Sequence, residues 1–535
     1  SIAAAVFLLA ASFANAATIT AVNYTDPIDD TTLMGYIAEP DAISSEPRPA
    51  IIILGDWDGV NEYEIDRASY FADTANYVAL AADIYGIAPE DNHQPQTFPE
   101  KIELATKYRS NATLAAGRIE SAMAVLGDMP NVDSSNIALV GYCLGGSLAL
   151  IYALTGHELA TAAIAFHGNI SAIQSSDEHP PVTAKVLILS GGEDDADSTA
   201  SVIAMEDALN AGNATWQLTR YSDVEHSFTN SESESFNEYV SGRSHESALS
   251  FLKEAFGEME YEQPDLPADV DVSEVDYQDV IWDGTSESWQ NYNLTGFVSY
   301  PDMDKSMLYP AVVIIHDLSD PPLDDYEKTR AQMLSDMGYI GFAADMFGKD
   351  HGYDLSNRTQ LFEYVGGLRA DRAVINQRMN AAVDAVKGLD NVDPERIVLI
   401  GYCFGGTGVL GYALAGESDV KGIVSFHGGL SRGFDPVDGV ISPRMLVQSG
   451  GDDDDAADIE ALEAQMKLGN ATWEYTRYGE VEHAFTNWAD ARGRYDARAD
   501  VRSWEDMQTF LTDLFVINGT VGIPAPSDES SETAP

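Results

Sequence analysis

One phrase occurs twice in this 535-residue chain: Gly141-Tyr142-Cys143-Leu144-Gly145-Gly146 and Gly401-Tyr402-Cys403-Phe404-Gly405-Gly406. The two copies hold the chain's only cysteines, so neither a disulfide framework nor a cysteine metal site has the numbers or spacing it needs. Cys143 and Cys403 lie 260 residues apart, Asp194 and Asp453 lie 259 apart, and His226 and His483 lie 257 apart. An almost constant offset of this length marks a duplicated domain rather than a short-period solenoid. Each copy has the size of one large α/β domain.

Short apolar runs recur at the same places in both copies. Pro49-Ala-Ile-Ile-Ile-Leu pairs with Pro310-Ala-Val-Val-Ile-Ile, Tyr77-Val-Ala-Leu-Ala-Ala with Tyr339-Ile-Gly-Phe-Ala-Ala, and Lys185-Val-Leu-Ile-Leu-Ser with Arg444-Met-Leu-Val-Gln-Ser. Bounded, nearly continuous apolar runs suit strands buried on both faces of a parallel sheet. Segments of helical period, such as Leu114 to Leu126 and Ala373 to Leu389, lie between them. The alternation predicts two tandem α/β domains, each a doubly wound, mainly parallel sheet.

The boundaries follow from composition. Residues 1–16 are apolar and end in Ala14-Asn15-Ala16, the small-x-small pattern of a signal peptidase site, although no basic stretch precedes them. They read as a signal peptide, followed by a first domain over 17–257 and an acidic linker over 258–276. A second domain spans 277–517, and a Pro-, Ser- and Glu-rich tail over 518–535 reads as disordered. Export would make use of eight Asn-x-Ser/Thr sequons, at Asn23, Asn111, Asn169, Asn213, Asn293, Asn357, Asn470 and Asn518. The expectation is a secreted, N-glycosylated protein with no membrane attachment once the signal is removed.

Charge narrows the partners further. With 29 basic against 87 acidic residues, the formal net charge is −58, which repels nucleic acid and anionic membranes. No Asp-x-Asp-x-Asp-Gly loop is present to hold calcium, and the acidic run Asp452 to Asp455 has its own place in the repeat.

That place is in a triad. A Gly-x-Cys-x-Gly turn between a strand and a helix displays a nucleophile on a strained backbone, and the small residues allow the helix to pack close behind it. The helix N-terminus favours the thiolate, so an exposed, activated thiol is the expected product. An acid then follows a later strand, at Ser190-Gly191-Gly192-Glu193-Asp194 and Ser449-Gly450-Gly451-Asp452-Asp453. A base follows in turn, at His226-Ser227-Phe228-Thr229 and His483-Ala484-Phe485-Thr486. Cys143, Asp194 and His226, and likewise Cys403, Asp453 and His483, are the candidate nucleophile, acid and base. Asp195 and Asp454 are the neighbouring alternative acids. His167 and His427, in matching Phe-His-Gly phrases, read as strand-end structural residues near the pocket rim, and Trp216 and Trp473 as core.

Taken together, Gly-Tyr-Cys-x-Gly-Gly, Ser-Gly-Gly-x-Asp and His-x-Phe-Thr-Asn make each half resemble the dienelactone hydrolase family of α/β-hydrolases. The resemblance implies hydrolysis of a small-molecule ester or lactone by a Cys-His-Asp triad, with no metal or organic cofactor. It also implies that an acid after the first long strand touches the resting cysteine, here Asp56 and Asp317. The oxyanion would be held by the N–H groups of Trp57 and Leu144 in the first copy and of Leu318 and Phe404 in the second. The family more usually has Glu at the acid. The second copy replaces the first's Trp57-Asp58-Gly59-Val60-Asn61 loop with Leu318-Ser319-Asp320-Pro321-Pro322, so an altered or dead pocket is expected there. Asn230 and Asn487 stand where the dienelactone enzymes carry a substrate-binding arginine, which argues against their substrate. Arg109 and Arg369 read as surface or ion-paired residues, with anion binding as their functional alternative. The rival to an enzyme is a non-catalytic extracellular glycoprotein building block, a filament or coat that reuses the fold as a scaffold and self-assembles.

Overall fold

The computed structural model describes residues 16–42, 44, 46–86, 94–173, 180–259, 261–264, 266, 269–283, 288–318, 323–348, 351–430, 440–516 and 520–524. Most of the expected signal peptide and of the tail, together with Asn518 and residues 319–322 of the second copy's altered loop, lie outside them. The chain divides into two compact units at residue 260, except that residues 476–480 group with the first.

In the first unit a hairpin of β1 (Thr18–Thr25) and β2 (Thr32–Glu39) leads into β3 (Arg48–Leu54), α1 (Glu62–Ala75), β4 (Val78–Ala82), α2 (Phe98–Arg109) and α3 (Ala112–Gly127). Then come β5 (Val132–Tyr142), α4 (Leu144–Leu154), β6 (Ala162–Phe166), β7 (Lys185–Gly191), α5 (Thr199–Ala211), β8 (Trp216–Tyr221) and α6 (Glu238–Ala255). The sheet runs β1-β2-β4-β3-β5-β6-β7-β8. It is antiparallel over its first two pairings and parallel from β4 onward.

Alternation along the strands explains the two layers. Ile52, Leu54, Ile137 and Leu139 face one core with residues of α3, α4 and α5, while Ile51, Ile53, Ala138 and Val140 face the other with residues of α1 and α6. With both faces covered, these strands have no polar side to show. That is why they read as continuous apolar runs.

The second unit repeats the plan. Its elements are β9 (Ser273–Asp283), β10 (Ser288–Ser299), β11 (Met307–Ile315), α7 (Asp325–Asp336), β12 (Ile340–Ala344), α8 (Arg358–Ala370), α9 (Arg372–Lys387) and β13 (Val392–Tyr402). They continue with α10 (Phe404–Leu414), β14 (Gly422–Phe426), β15 (Arg444–Gly450), α11 (Ala456–Leu468), β16 (Trp473–Tyr478), α12 (Ala497–Phe515) and the short β17 (Ile523–Pro524). β9-β10-β12 pair antiparallel, and β12-β11-β13-β14-β15 pair parallel.

Two expected boundaries move. The acidic stretch read as linker to residue 276 already belongs to β9 from Ser273, because its residues pair with β10 whatever their charge, Val275 opposite Gly296 and Tyr277 opposite Leu294. Part of the tail read as disordered is strand: Ile523 and Pro524 pair with Leu308 and Met307. The predicted helices at Leu114 to Leu126 and Ala373 to Leu389 are α3 and α9, and Trp216 and Trp473 are buried. Among the described residues no helix is long and apolar enough to cross a membrane.

Candidate active site

β5 and α4 meet at Cys143, which sits at φ 50° and ψ −110°, a conformation that L residues seldom adopt. Cys403 repeats it between β13 and α10 at φ 52° and ψ −108°. The flanking glycines are obligatory for a steric reason: a Cβ on Gly141 would come within 2.1 Å of the Gly145 oxygen, and one on Gly145 within 2.0 Å of the Leu54 oxygen. Gly401 and Gly405 face the same barrier, at 2.2 Å from the Gly405 oxygen and 2.1 Å from the Ile315 oxygen. The tight packing is tied by Gly145 N–H to Gly55 O at 3.0 Å and Gly405 N–H to His316 O at 3.1 Å.

The loops after β7 and β8 bring the acid and base to this turn. Nδ1 of His226 lies 2.8 Å from Oδ2 of Asp194, and its Nε2 lies 3.0 Å from the Sγ of Cys143. His483 does the same, at 2.8 and 2.9 Å from the Asp453 oxygens and 3.0 Å from the sulfur of Cys403. The alternative acids are elsewhere: Asp195 is exposed, and Asp454 accepts the backbone N–H of Leu430 at 3.1 Å.

Burial opposes a charge on His226, but its hydrogen bonds to Asp194 and Cys143 outweigh it and push its pKa up to about 11; the same balance pushes His483 up to about 10. The expected exposed, activated thiol is corrected in the first unit. Cys143 is 8% exposed, and burial, with the charge of Asp56, pushes its thiol above the usual cysteine range against the pull of His226.

Asp56 follows β3 and lies close enough to Cys143 and Asn230 for both to act on its carboxyl. Burial and the nearby charge of Asp58 push its pKa up to about 6. In the second unit Asn487 Nδ2 donates to Asp317 Oδ2 at 3.0 Å. The asparagines that stand in the place of the family's arginine therefore lie against the acid that follows the first long strand. Among the described residues the N–H groups of Trp57, Leu144, Leu318 and Phe404 meet no acceptor, as oxyanion donors require. Arg109 is close enough for its charge to act on Cys143, and Arg369 lies over the Phe404 ring at 5.6 Å.

Several residues at the site carried no sequence signal that was read as functional. His167 and His427 are not at the rim: both are fully buried, and their Nδ1 atoms accept the N–H of Cys143 and Cys403. Glu64 accepts the N–H of Asp56 and of Asn61 as the capping box of α1, and burial together with the charge of Asp56 pushes its pKa up to about 8. Carboxylate oxygens of Asp56, Asp58 and Glu64 lie within 4.8 Å of one another. Both Glu64 oxygens serve backbone N–H groups, which leaves the grouping as a cap and a source of raised pKa values. His316, in the place of Gly55, accepts Met346 N–H at Nε2 and so donates from Nδ1 to the Asp317 oxygen at 2.6 Å. The repeat offset held the clue for His167 and His427, since both copies keep Phe-His-Gly.

A mainly parallel sheet, helices on both faces and a strained turn at the end of the central strand define each unit as an α/β-hydrolase domain. The chain belongs to the dienelactone hydrolase family, whose family model matches residues 33–256 and again 294–515. It is similar to carboxymethylenebutenolidase of Pseudomonas putida, with 26% identity over 208 residues, 38% of this chain and 86% of that protein. It is also similar to an uncharacterized Caenorhabditis elegans protein, with 27% identity over 153 residues, 26% of this chain and 94% of the relative. Among solved structures it is similar to a dienelactone hydrolase-like promiscuous phosphotriesterase from metagenomic libraries. That match has 26% identity and a TM-score of 0.39, and covers 45% of this chain and all of the other.

Proposed function

We propose that each repeat hydrolyses ester or lactone bonds of small molecules through a Cys-His-Asp triad, in an exported glycoprotein. The observation that carries the reading is the unbroken Asp194-His226-Cys143 contact chain, at 2.8 and 3.0 Å, and its counterpart in the second repeat. The name carboxymethylenebutenolidase borne by the Pseudomonas relative supports a lactone or ester as the bond cleaved.

The steps follow from the geometry. The thiol proton passes to Nε2 of His226, and Asp194 stabilises the imidazolium and fixes its orientation. The thiolate attacks the carbonyl carbon, and the oxyanion is held by the N–H groups of Leu144 and Trp57. The tetrahedral intermediate collapses as the leaving oxygen takes the proton from His226, leaving a thioester. Water, deprotonated by His226, attacks the thioester, and the carboxylate departs as the thiol regains its proton. In the second repeat Cys403, His483, Asp453, Phe404 and Leu318 take these parts. Asn230 and Asn487 sit on the acid, so no arginine stands just after the base to select an anionic substrate.

Hydrolysis of a small activated ester by the wild type, Cys143→Ala, Cys403→Ala and the double mutant tests the reading. Activity should fall in the single mutants and vanish in the double mutant; a double mutant as active as wild type sinks it. Export is supported by the sequons: Asn23, Asn111, Asn213, Asn293, Asn357 and Asn470 are exposed, whereas Asn169 is half-buried and caps a turn through Oδ1. Protein secreted from a eukaryotic host should lose mass on treatment with an N-glycan-removing enzyme. An unchanged mass would reject the glycoprotein part.

A further inference from the structure

The peptide group that carries one of the oxyanion donors is held differently in the two repeats. In the first the donor is the N–H of Trp57. The carbonyl of that same peptide belongs to Asp56 and accepts the N–H of Gly59 at 3.1 Å. On the donor's other side, the Trp57 carbonyl accepts the hydroxyl of Tyr85 at 2.8 Å. The second repeat keeps neither residue. Asp320 stands in the place of Gly59, which turns at φ 89°, and Phe347, with no hydroxyl, stands in the place of Tyr85.

A histidine supplies a hold of its own. His316 follows β11 where the first repeat has Gly55, and its ring is fully buried, edge-on to Phe347 at 4.5 Å. The backbone N–H of Met346 can only donate, and it meets Nε2 at 3.1 Å; the ring proton is therefore on Nδ1, which donates to the Asp317 carbonyl at 2.6 Å. Burial pushes the pKa of His316 below the usual histidine range, which keeps the ring neutral and in this tautomer. The Asp317 carbonyl shares its peptide with the N–H of Leu318. In a planar trans peptide the C=O and N–H point in opposite directions, so fixing the first aims the second. A hydrogen bond received at the oxygen also polarises the N–H. The first repeat has no room for this device: a Cβ on Gly55 would come within 2.8 Å of Cγ of Glu64, whose carboxylate is tied down as the cap of α1.

We propose that His316 is a positioning residue of the second repeat, aiming the Leu318 N–H at the oxyanion in place of the hold that Gly59 and Tyr85 give in the first, so that the altered loop leaves this repeat a working hydrolase. This rests on the hydrolase reading of the same site.

The test uses the full-length chain in a Cys143→Ala background, where Cys403 is the only thiol. His316→Ala should lower kcat on a small activated ester by roughly tenfold with KM little changed, less than the ~10²–10³ lost when an oxyanion donor is removed outright. Alkylation of Cys403 by iodoacetamide, a displacement that builds no oxyanion, should keep its rate. His316→Gln, whose amide can both donate and accept, should recover part of kcat. Hydrolysis unchanged in His316→Ala, or hydrolysis and alkylation falling together in both variants, overturns the positioning role. A Cys143→Ala parent that is alkylated at Cys403 yet cleaves no ester overturns the hydrolase reading of this repeat, and the positioning role with it.

Discussion

Nδ1 of His167 accepts the backbone N–H of Cys143 at 3.2 Å, and His427 repeats the contact on Cys403 at 3.1 Å. Accepting at Nδ1 puts the ring proton on Nε2, which donates to Thr229 Oγ1 at 2.7 Å; Tyr63 Oη lies 2.8 Å from the same hydroxyl. Burial, with the charge of His226 nearby, pushes the pKa of His167 well below the usual histidine range, so the ring stays neutral. The cysteine N–H is shared with the Phe166 carbonyl oxygen at 3.0 Å, so the ring is a second, neutral acceptor that helps fix the direction of the cysteine without adding charge to it.

His167→Ala in a Cys403→Ala background should therefore lower kcat by roughly threefold to tenfold, the cost of losing one of two acceptors of that N–H in a positioned site, with KM little changed. His167→Gln keeps an acceptor and should recover part of the rate. Equal losses in both variants, matched by equal losses of melting temperature, would mean that the histidine only fills space.

Gly145→Ala should be more damaging than its single methyl suggests. The new Cβ would meet the Leu54 carbonyl oxygen at 2.0 Å, and that oxygen belongs to β3 at the centre of the sheet, so neither side can move cheaply. Overpacking of this kind costs about 1–3 kcal/mol and opens the turn. Thermal unfolding should show the loss, and activity carried by the first repeat should disappear. Full activity would show that the turn relaxes.

Much of this architecture is legible in the sequence because it is written twice. Ala50 to Leu54 and Ala311 to Ile315 read as buried strands since helices cover both faces, and the triad order could be read because the motifs keep their offset. What escaped were contacts made through the backbone or across the fold. Glu64 looks like any helix-start acid, yet it is buried against Asp56, eight positions earlier in the chain. His167 bonds an N–H, which no side-chain pattern reports. The start of β9 was missed because its acidic residues lie on a strand whose pairing with β10 is blind to charge.

Glu64 also makes stability depend on pH. Its carboxyl titrates near 4.5 in an unfolded chain and at about 8 when folded. Between those values the folded repeat keeps a proton that the unfolded chain has given up. Its contribution is complete at low pH and is lost as pH rises through about 8, at up to about 1.4 kcal/mol per pH unit. His226, raised to about 11, loses its contribution at the alkaline end of this range and beyond, so comparison with Glu64→Gln isolates the carboxyl. The melting temperature of the wild type should fall between about pH 5 and pH 8 more steeply than that of Glu64→Gln. Parallel curves would place the ionisation elsewhere.

Asp56 should act as a brake on the thiolate of Cys143. Its charge is, after burial, the main influence holding the thiol pKa high; a second negative charge in a buried site is disfavoured by the first. Asp56→Asn removes the charge and keeps the size. In a Cys403→Ala background only Cys143 remains to react, so alkylation by iodoacetamide reports a single sulfur. The substitution should lower the apparent pKa of that reaction and speed alkylation at neutral pH. If Asp56→Asn alkylates no faster than the parent, the carboxylate works by accepting the thiol proton rather than by opposing its loss, and ester hydrolysis should then collapse in the same variant.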